Sequence, residues 1–260
     1  MKVRKTLVAT MSTLATIATN ALWAADLPPG TYKAPPMARA VVSSWTGCYI
    51  GLQGGGGWGS SQHVAVGPPN PANAGRPITN SFVLSGGEVG GTIGCNYQAN
   101  SWVFGVENDI SWTNISGSAP DMLPFNLNAV SHTNEKWLDT LRGRAGFAWD
   151  RAFLYGTGGV AFAGTDATIC NTLLGVCQSN AQTRTGWVAG AGIEYAVWDN
   201  VSLKFEYLHA DFGTGRYFPS PVMVGGQNIA TRDVRLSDDI VRAGVNWRFT
   251  TLPGMLYPAQ

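Results

Sequence analysis

Ten charged residues recur at alternate positions inside short apolar segments: Glu88, Glu107, Asp109, Arg142, Arg144, Glu194, Lys204, Glu206, Arg242 and Arg248. Five acids face five bases. Charges of opposite sign brought together out of water satisfy one another, line a narrow water path or grip a small ligand, whereas unpaired ones are costly to bury. Ser202, Glu206 and His209 are the nearest approach to a nucleophile, acid and base. Such a set needs the base within hydrogen-bond reach of both partners, yet His209 does not share the strand parity of Ser202 and Glu206. His63 and His132 fall in polar stretches and read as solvated loop residues, so no catalytic residue is assigned. Cys48, Cys95, Cys170 and Cys177 form no CxxC pair and have no histidine cluster beside them, which gives no case for zinc or another metal, and no cofactor is expected. Cys170 and Cys177 lie close together in one polar stretch, a spacing that suits a local disulfide in an oxidising compartment. Cys48 and Cys95 share a parity on adjacent segments, about one pair apart, and are either a second bridge or two free thiols facing lipid.

The elements that position these side chains must be strands. Of 260 residues 13% are charged and 33 are glycine, which excludes a charged disordered tail and a coiled coil. Lys and Arg number 17 against 16 Asp and Glu, and without Lys2, Arg4 and Lys5 the balance is 14 against 16, so no electrostatic case exists for nucleic acid. Those three bases precede an uncharged stretch from Thr6 to Ala18, and residues 1–24 read as a secretory signal, with cleavage between Ala21 and Ala25. Residues 25–44 are a Pro-rich lead-in. No later stretch offers 18 uncharged apolar residues, so any membrane span must be built from strands closed into a barrel.

From Trp45 onward a period of two appears eight times, over 46–59, 82–97, 101–112, 137–149, 152–162, 186–197, 201–208 and 240–249. In the third segment Trp102, Phe104, Val106, Ile110 and Trp112 oppose Glu107 and Asp109, with Asn108 an exception on the apolar side. In the seventh, Val201, Leu203, Phe205 and Tyr207 oppose Ser202, Lys204 and Glu206. Apolar residues out and polar residues in is the pattern of a transmembrane barrel. Connections alternate between short ones, near 98–100, 150–151 and 198–200, and long ones at 60–81, 113–136, 163–185 and 209–239. The fold expected is all-β, an eight-stranded antiparallel transmembrane β-barrel with up-and-down meander topology over 45–249. It would lie in the outer membrane of a Gram-negative bacterium with both termini periplasmic and the long loops extracellular. Trp58, Trp112, Trp137, Tyr97 and Trp149 are placed near the two lipid interfaces.

WTGCYIGLQGGGGWG at 45–59 resembles the opening strand of the small OmpA-like outer-membrane barrels and surface antigens of alphaproteobacteria. WVFGVENDISWTNISGS at 102–118, LRGRAGFAWDRAFLYGTGGVAF at 141–162, TGWVAGAGIEYAVWDNVSLKFEYLHADFG at 185–213 and VRAGVNWRF at 241–249 are similar to the same family. The resemblance implies an eight-stranded outer-membrane barrel tied to envelope integrity and surface exposure, with no catalytic residues. Its partners would be outer-membrane lipids, the barrel-insertion machinery and peptidoglycan-associated or host-surface molecules. Phe249 matches the last-strand aromatic read by that machinery, although residues 250–260 extend beyond it.

Three functions stay open: a structural envelope protein with a filled lumen, a small low-conductance porin with a water path past Arg142, Arg144 and Glu107, and a loop-mediated adhesin or binding protein. An eight-stranded barrel is just wide enough for side chains to fill it or for one small ligand.

Overall fold

The computed structural model describes residues 44–66, 70–219, 222–224, 226–229 and 231–249. The signal segment, nearly all of the Pro-rich lead-in and the extension at 250–260 lie outside the described residues.

Among the described residues eleven strands follow one another: β1 (Gly47–Ala65), β2 (Phe82–Ala99), β3 (Trp102–Thr113), β4 (Ser116–Pro120), β5 (Ala129–Trp149), β6 (Ala152–Asn171), β7 (Val176–Ala196), β8 (Val201–Tyr217), β9 (Val222–Val224), β10 (Gln227–Ile229) and β11 (Arg232–Phe249). Eight are long, and each of these pairs antiparallel with the next. β11 also pairs with β1, from Cys48↔Phe249 to Ala65↔Arg232, so the ladder closes into a ring. Among the described residues no helix is long and apolar enough to cross a membrane.

Alternation selects this fold. Leu52, Val89, Val106, Leu154, Leu203 and Trp247 stand exposed on the outer wall, while their chain neighbours face the lumen and most of them are buried. Trp58, Trp112, Trp137 and Trp187 mark the upper edge of this apolar band, and Tyr97, Trp102, Trp149 and Tyr195 its lower edge. At the lower, turn end the chain reverses through Asn100 and Asp150, both with positive φ, a conformation that Asn and Asp tolerate through local hydrogen bonding.

The strands run further toward the loop end than the periodicity of apolar residues suggests. The stretch 163–185, expected as a loop, is mostly ladder: β6 and β7 stay paired to Asn171↔Val176, and the turn occupies 172–175. β1 reaches Ala65, β5 begins at Ala129 and β11 at Arg232. Above the apolar band the outer face meets water, so Thr and Ser replace Leu and Trp there and the apolar signal vanishes, but the backbone still gains by pairing. β7 pairs with β8 only up to Trp187↔Asp211. Beyond that point side chains bridge the gap: Arg184 donates to the carbonyls of Phe212 and Val234, and Gln182 to that of Arg216.

Candidate functional site

The lumen is where sequence-predicted residues converge. Arg142 on β5 is the centre. Its Nη2 lies 2.5 Å from Glu107 Oε1 and 2.5 Å from Asp109 Oδ2, both on the neighbouring β3, and its Nη1 lies 2.9 Å from Glu206 Oε1 on β8 across the barrel. Arg242 on β11 approaches from the other side, with Nη2 2.7 Å from both Asp109 Oδ2 and Glu206 Oε2. Lys204 Nζ is 3.0 Å from Glu107 Oε1. Arg144 reaches Glu107 and Glu194 at 3.3 and 3.1 Å, and its guanidinium lies over the ring of Tyr49, 4.6 Å from the centroid. All these charged side chains are sealed from solvent.

Neutral groups complete the network. Tyr49 donates to Glu107 at 2.6 Å, Tyr155 to Glu206 at 3.1 Å and Thr140 to Asp109 at 2.9 Å. Glu194 accepts from Asn246 at 3.0 Å and from Ser202. Charge-assisted bonds of this kind are about twice as strong as neutral ones, and several donors per carboxylate offset its desolvation. Glu88 stands at the margin. Its nearest cation is Arg242 Nη1 at 3.7 Å, and neither carboxylate oxygen has a hydrogen-bond partner.

Arg248 departs from the expected network. It sits at the turn end, where its guanidinium donates to the carbonyls of Ser44 and Asp199 and stacks over Trp45, 4.9 Å from the ring centroid. Its place on the last strand, two rungs below Asn246, puts it past the carboxylates. Ser202, Glu206 and His209 are not assembled: Ser202 donates to Glu194, whereas His209 lies on the outer wall, 2.8 Å from Asp239. Phe249 ends β11 as the register partner of Cys48. All four cysteines are paired, Cys48 with Cys95 and Cys170 with Cys177, each bond joining direct register partners.

Apolar layers enclose the charges above and below. On the turn side Trp45, Val103, Ala148, Phe153, Tyr155 and Ala196 form a buried cluster. On the loop side a larger cluster includes Leu84, Ile115, Leu138, Leu208, Leu236 and Ile240. Leu84, Leu138, Leu208, Leu236 and Ile240 hold the same parity as Glu88, Arg142, Glu206 and Arg242 on their own strands and so point inward, and Ile115 joins them from the break between β3 and β4. Charge was the signal read for the interior, and this apolar layer carries none; extending each strand's inward parity by one or two positions finds it.

Still nearer the loop end lies a second polar layer. His63 is fully buried rather than solvated, because β1 continues past it. Arg232 donates to its Nδ1 at 3.3 Å, which leaves Nε2 to donate to Thr133 Oγ1 at 3.0 Å. Burial first, then the Arg232 charge, pushes the His63 imidazole down to about 3. Arg232 also donates to Ser131 at 2.6 Å, and burial brings it down to about 10. Asp121, 3.8 Å from Arg232, has its carboxyl raised by burial.

A β-barrel with an apolar outer wall matches what comparison with known proteins gives. Residues 31–249 match the family model described as outer membrane protein beta-barrel domain. A 31 kDa outer-membrane immunogenic protein of Brucella melitensis is 33% identical over 250 residues, covering 92% of this chain and 97% of that protein. A 22 kDa outer membrane protein of Rhizobium leguminosarum is 27% identical over 179 residues, covering 68% of each. The crystal structure of the outer membrane protein OprG from Pseudomonas aeruginosa aligns with 80% of this chain and 99% of its own, at 13% identity and a TM-score of 0.49. The chain belongs to the outer-membrane β-barrel protein family, and its relatives in Brucella are outer-membrane immunogenic proteins.

Proposed function

We propose that this protein is a structural, envelope-integrity barrel that holds its lumen shut, carries surface-exposed loops and performs no chemistry. The observation that carries this reading is the stacking of layers inside the ring. A charge-paired layer around Arg142 lies between an aromatic-rich cluster at the turn end and an apolar cluster toward the loop end. A continuous water path would have to cross apolar side chains in both places, and such constrictions stay dry. In this reading the turn end, the two chain termini and Phe249 face the periplasm, and the loop end faces outside. The partners are outer-membrane lipids around the apolar band and the insertion machinery that reads the last strand.

Planar-bilayer recording of the refolded mature barrel tests the closed lumen, with heat-modifiable gel mobility as the folding control. A folded protein with no conductance steps supports it; steady steps that change when Arg142 or Glu107 is neutralised would establish the small porin instead.

A second reading, loop-mediated binding, has an observation of its own. Leu123, Leu127, Leu173 and Leu174 are all exposed at the loop end, and Thr172 bonds to the carbonyl of Asn128 at 2.8 Å, which brings the two turns that bear them together. Exposed apolar side chains gathered on adjoining turns favour contact with a macromolecular surface outside the cell, such as that of a host. Binding that is lost when these leucines become serine while the barrel still folds would support that role.

A further inference from the structure

Glu135 on β5 and Asp238 on β11 belong to strands that are not neighbours in the ring, and their side chains meet across the lumen. Both residues are 1% exposed, and none of their four carboxylate oxygens has a hydrogen-bond partner. Their surroundings are the apolar layer itself. Asp238 lies between the inward-facing Leu236 and Ile240. Glu135 lies between Thr133 and Leu138, because a bulge at 135–137 keeps both 135 and 138 inward. Asp238 also fills the space above Gly59, where a Cβ would come 2.0 Å from its Oδ1.

Among the described residues no cation balances the pair. The groups that bear on it are Glu88 on β2, an acid, Thr113 on β3, whose hydroxyl donates to the Glu135 carbonyl, and Asp239 and His209, which face outward from β11 and β8. His63 on β1 and Arg232 on β11 belong to the layer above and are engaged with Thr133, Ser131 and each other. Among the described residues no group of three or more His, Cys, Asp or Glu side chains is arranged to hold a metal ion. Two carboxylates in contact in an apolar layer cannot both be ionised, and a single proton between them removes the repulsion and supplies the missing donor.

We propose that Glu135 and Asp238 share one proton and that this hydrogen bond is a pH-controlled bolt across the lumen. It rests on the closed-lumen reading above and adds the condition under which the lumen opens, the loop-side layer parting first and admitting water to the charge-paired and turn-end layers beneath it. With the proton held, the acid O–H of one side chain donates to the carboxylate of the other, and β5 and β11 are tied together through the apolar layer. When hydroxide takes the proton, two like charges are left facing each other without a counter-ion. Separation and entry of water then relieve them. Both residues lie just beyond the upper ring of tryptophans, with Asp238 one residue past Asp239, the partner of Trp58. Burial there raises the Glu135 carboxyl and brings Asp238 up to about 6, in keeping with a retained proton.

The test is single-channel recording of the refolded full-length mature protein, from mildly acid to alkaline solution, beside the variant carrying both Glu135→Gln and Asp238→Asn. Those amides keep the size and the mutual hydrogen bond but cannot titrate. The wild type should be closed in acid and open more often as pH rises, by up to about tenfold per pH unit, the limit for release of one proton. The double variant should stay closed throughout. Wild-type openings that ignore pH, an absence of openings at every pH, or pH-dependent openings that persist in the double variant would each overturn the bolt. Steady conductance of both proteins in acid would instead overturn the closed lumen, so the two failures are distinct. Heat-modifiable mobility confirms that each protein is folded, and the single variant Glu135→Gln serves if the double one does not fold.

Discussion

Glu107 and Arg142 are direct register partners across β3 and β5, and they meet at 2.5 Å with both side chains sealed from solvent. The strand ladder alone places them side by side. Arg142 then extends past its neighbour to Glu206, which lies across the ring on β8. One guanidinium thereby ties three strands and engages three carboxylates.

Removing that guanidinium should be far more damaging than removing one that holds only backbone. Arg142→Ala leaves Glu107, Asp109 and Glu206 short of donors in a buried layer, a change that costs about 3–5 kcal/mol when one partner of a buried pair is lost. Arg248→Ala, at the turn end, gives up two bonds to carbonyls and should cost about 1–3 kcal/mol. Urea unfolding followed by gel mobility measures both. Equal losses for the two variants would mean that Arg142 is no hub.

Two adjacent glycines on β6 should respond in opposite ways to alanine. A Cβ on Gly159 points into the lumen and would meet the Leu141 carbonyl at 2.0 Å and Arg142 Cα at 2.7 Å, contacts with backbone that cannot yield without parting β5 from β6. A Cβ on Gly158 points outward and meets nothing closer than 3.5 Å. Gly159→Ala should lose about 1–3 kcal/mol or fail to refold, whereas Gly158→Ala should stay within about 0.5 kcal/mol of wild type. Refolding yields that match for both substitutions would refute the assignment of faces.

Cys170 and Cys177 staple the β6–β7 hairpin where it stands clear of the apolar band, beyond the last rung that β7 shares with β8. Closing so short a loop is worth about 2–3 kcal/mol in the chain-entropy account. Because β7 has one ladder neighbour there, that contribution is local. Replacing both cysteines by serine should raise hydrogen exchange for residues near 165–183 by about a hundredfold, the equivalent of such a loss, while leaving the rungs around Arg142 as protected as before. A uniform loss of protection over the whole ring would contradict this.

Much of this architecture was legible in the residues, for a physical reason. Between the two aromatic rings the outer wall meets an apolar medium, so Trp102, Phe104 and Val106 announce the strand and Glu107 announces its inner face. The same reading ends too early at the loop end. At 163–171 the outward residues are Gly164, Asp166, Thr168 and Cys170, no different in type from a loop, and only the inward Ala163, Ala167 and Ile169 betray the strand. His63 reads as a loop residue for the same reason. Arg248 shares the parity of Arg242, but parity gives the face of a strand and not the height, and height decides whether an inward base meets carboxylates or the carbonyls at the barrel's mouth. Glu135 stays hidden because the bulge at 135–137 resets the alternation of β5 around it, and Asp238, although it keeps the parity of Arg242, lies in the polar stretch 209–239 that reads as a loop.

The buried imidazole of His63 gives the acid limb of stability a definite sign. Its folded value, about 3, lies below the ordinary histidine value near 6.5, so the unfolded chain binds the proton more readily. The stabilisation is complete above about pH 6.5 and is lost as pH falls toward 3, at roughly 1.4 kcal/mol per pH unit. Asp238 works in the opposite sense. Its folded value of about 6 lies above that of the unfolded carboxyl, so its protonated form favours the fold and stability declines as pH rises from about 4 through 6. The two slopes oppose each other across mildly acid pH and can be separated by substitution. His63→Gln keeps a donor toward Thr133 and does not titrate, so urea midpoints should flatten between about pH 6.5 and 4 in that variant. Asp238→Asn should steepen the same limb, since it removes the compensating slope. If His63→Gln leaves the acid limb as steep as in the wild type, the imidazole is hydrated rather than sealed between Thr133 and Arg232.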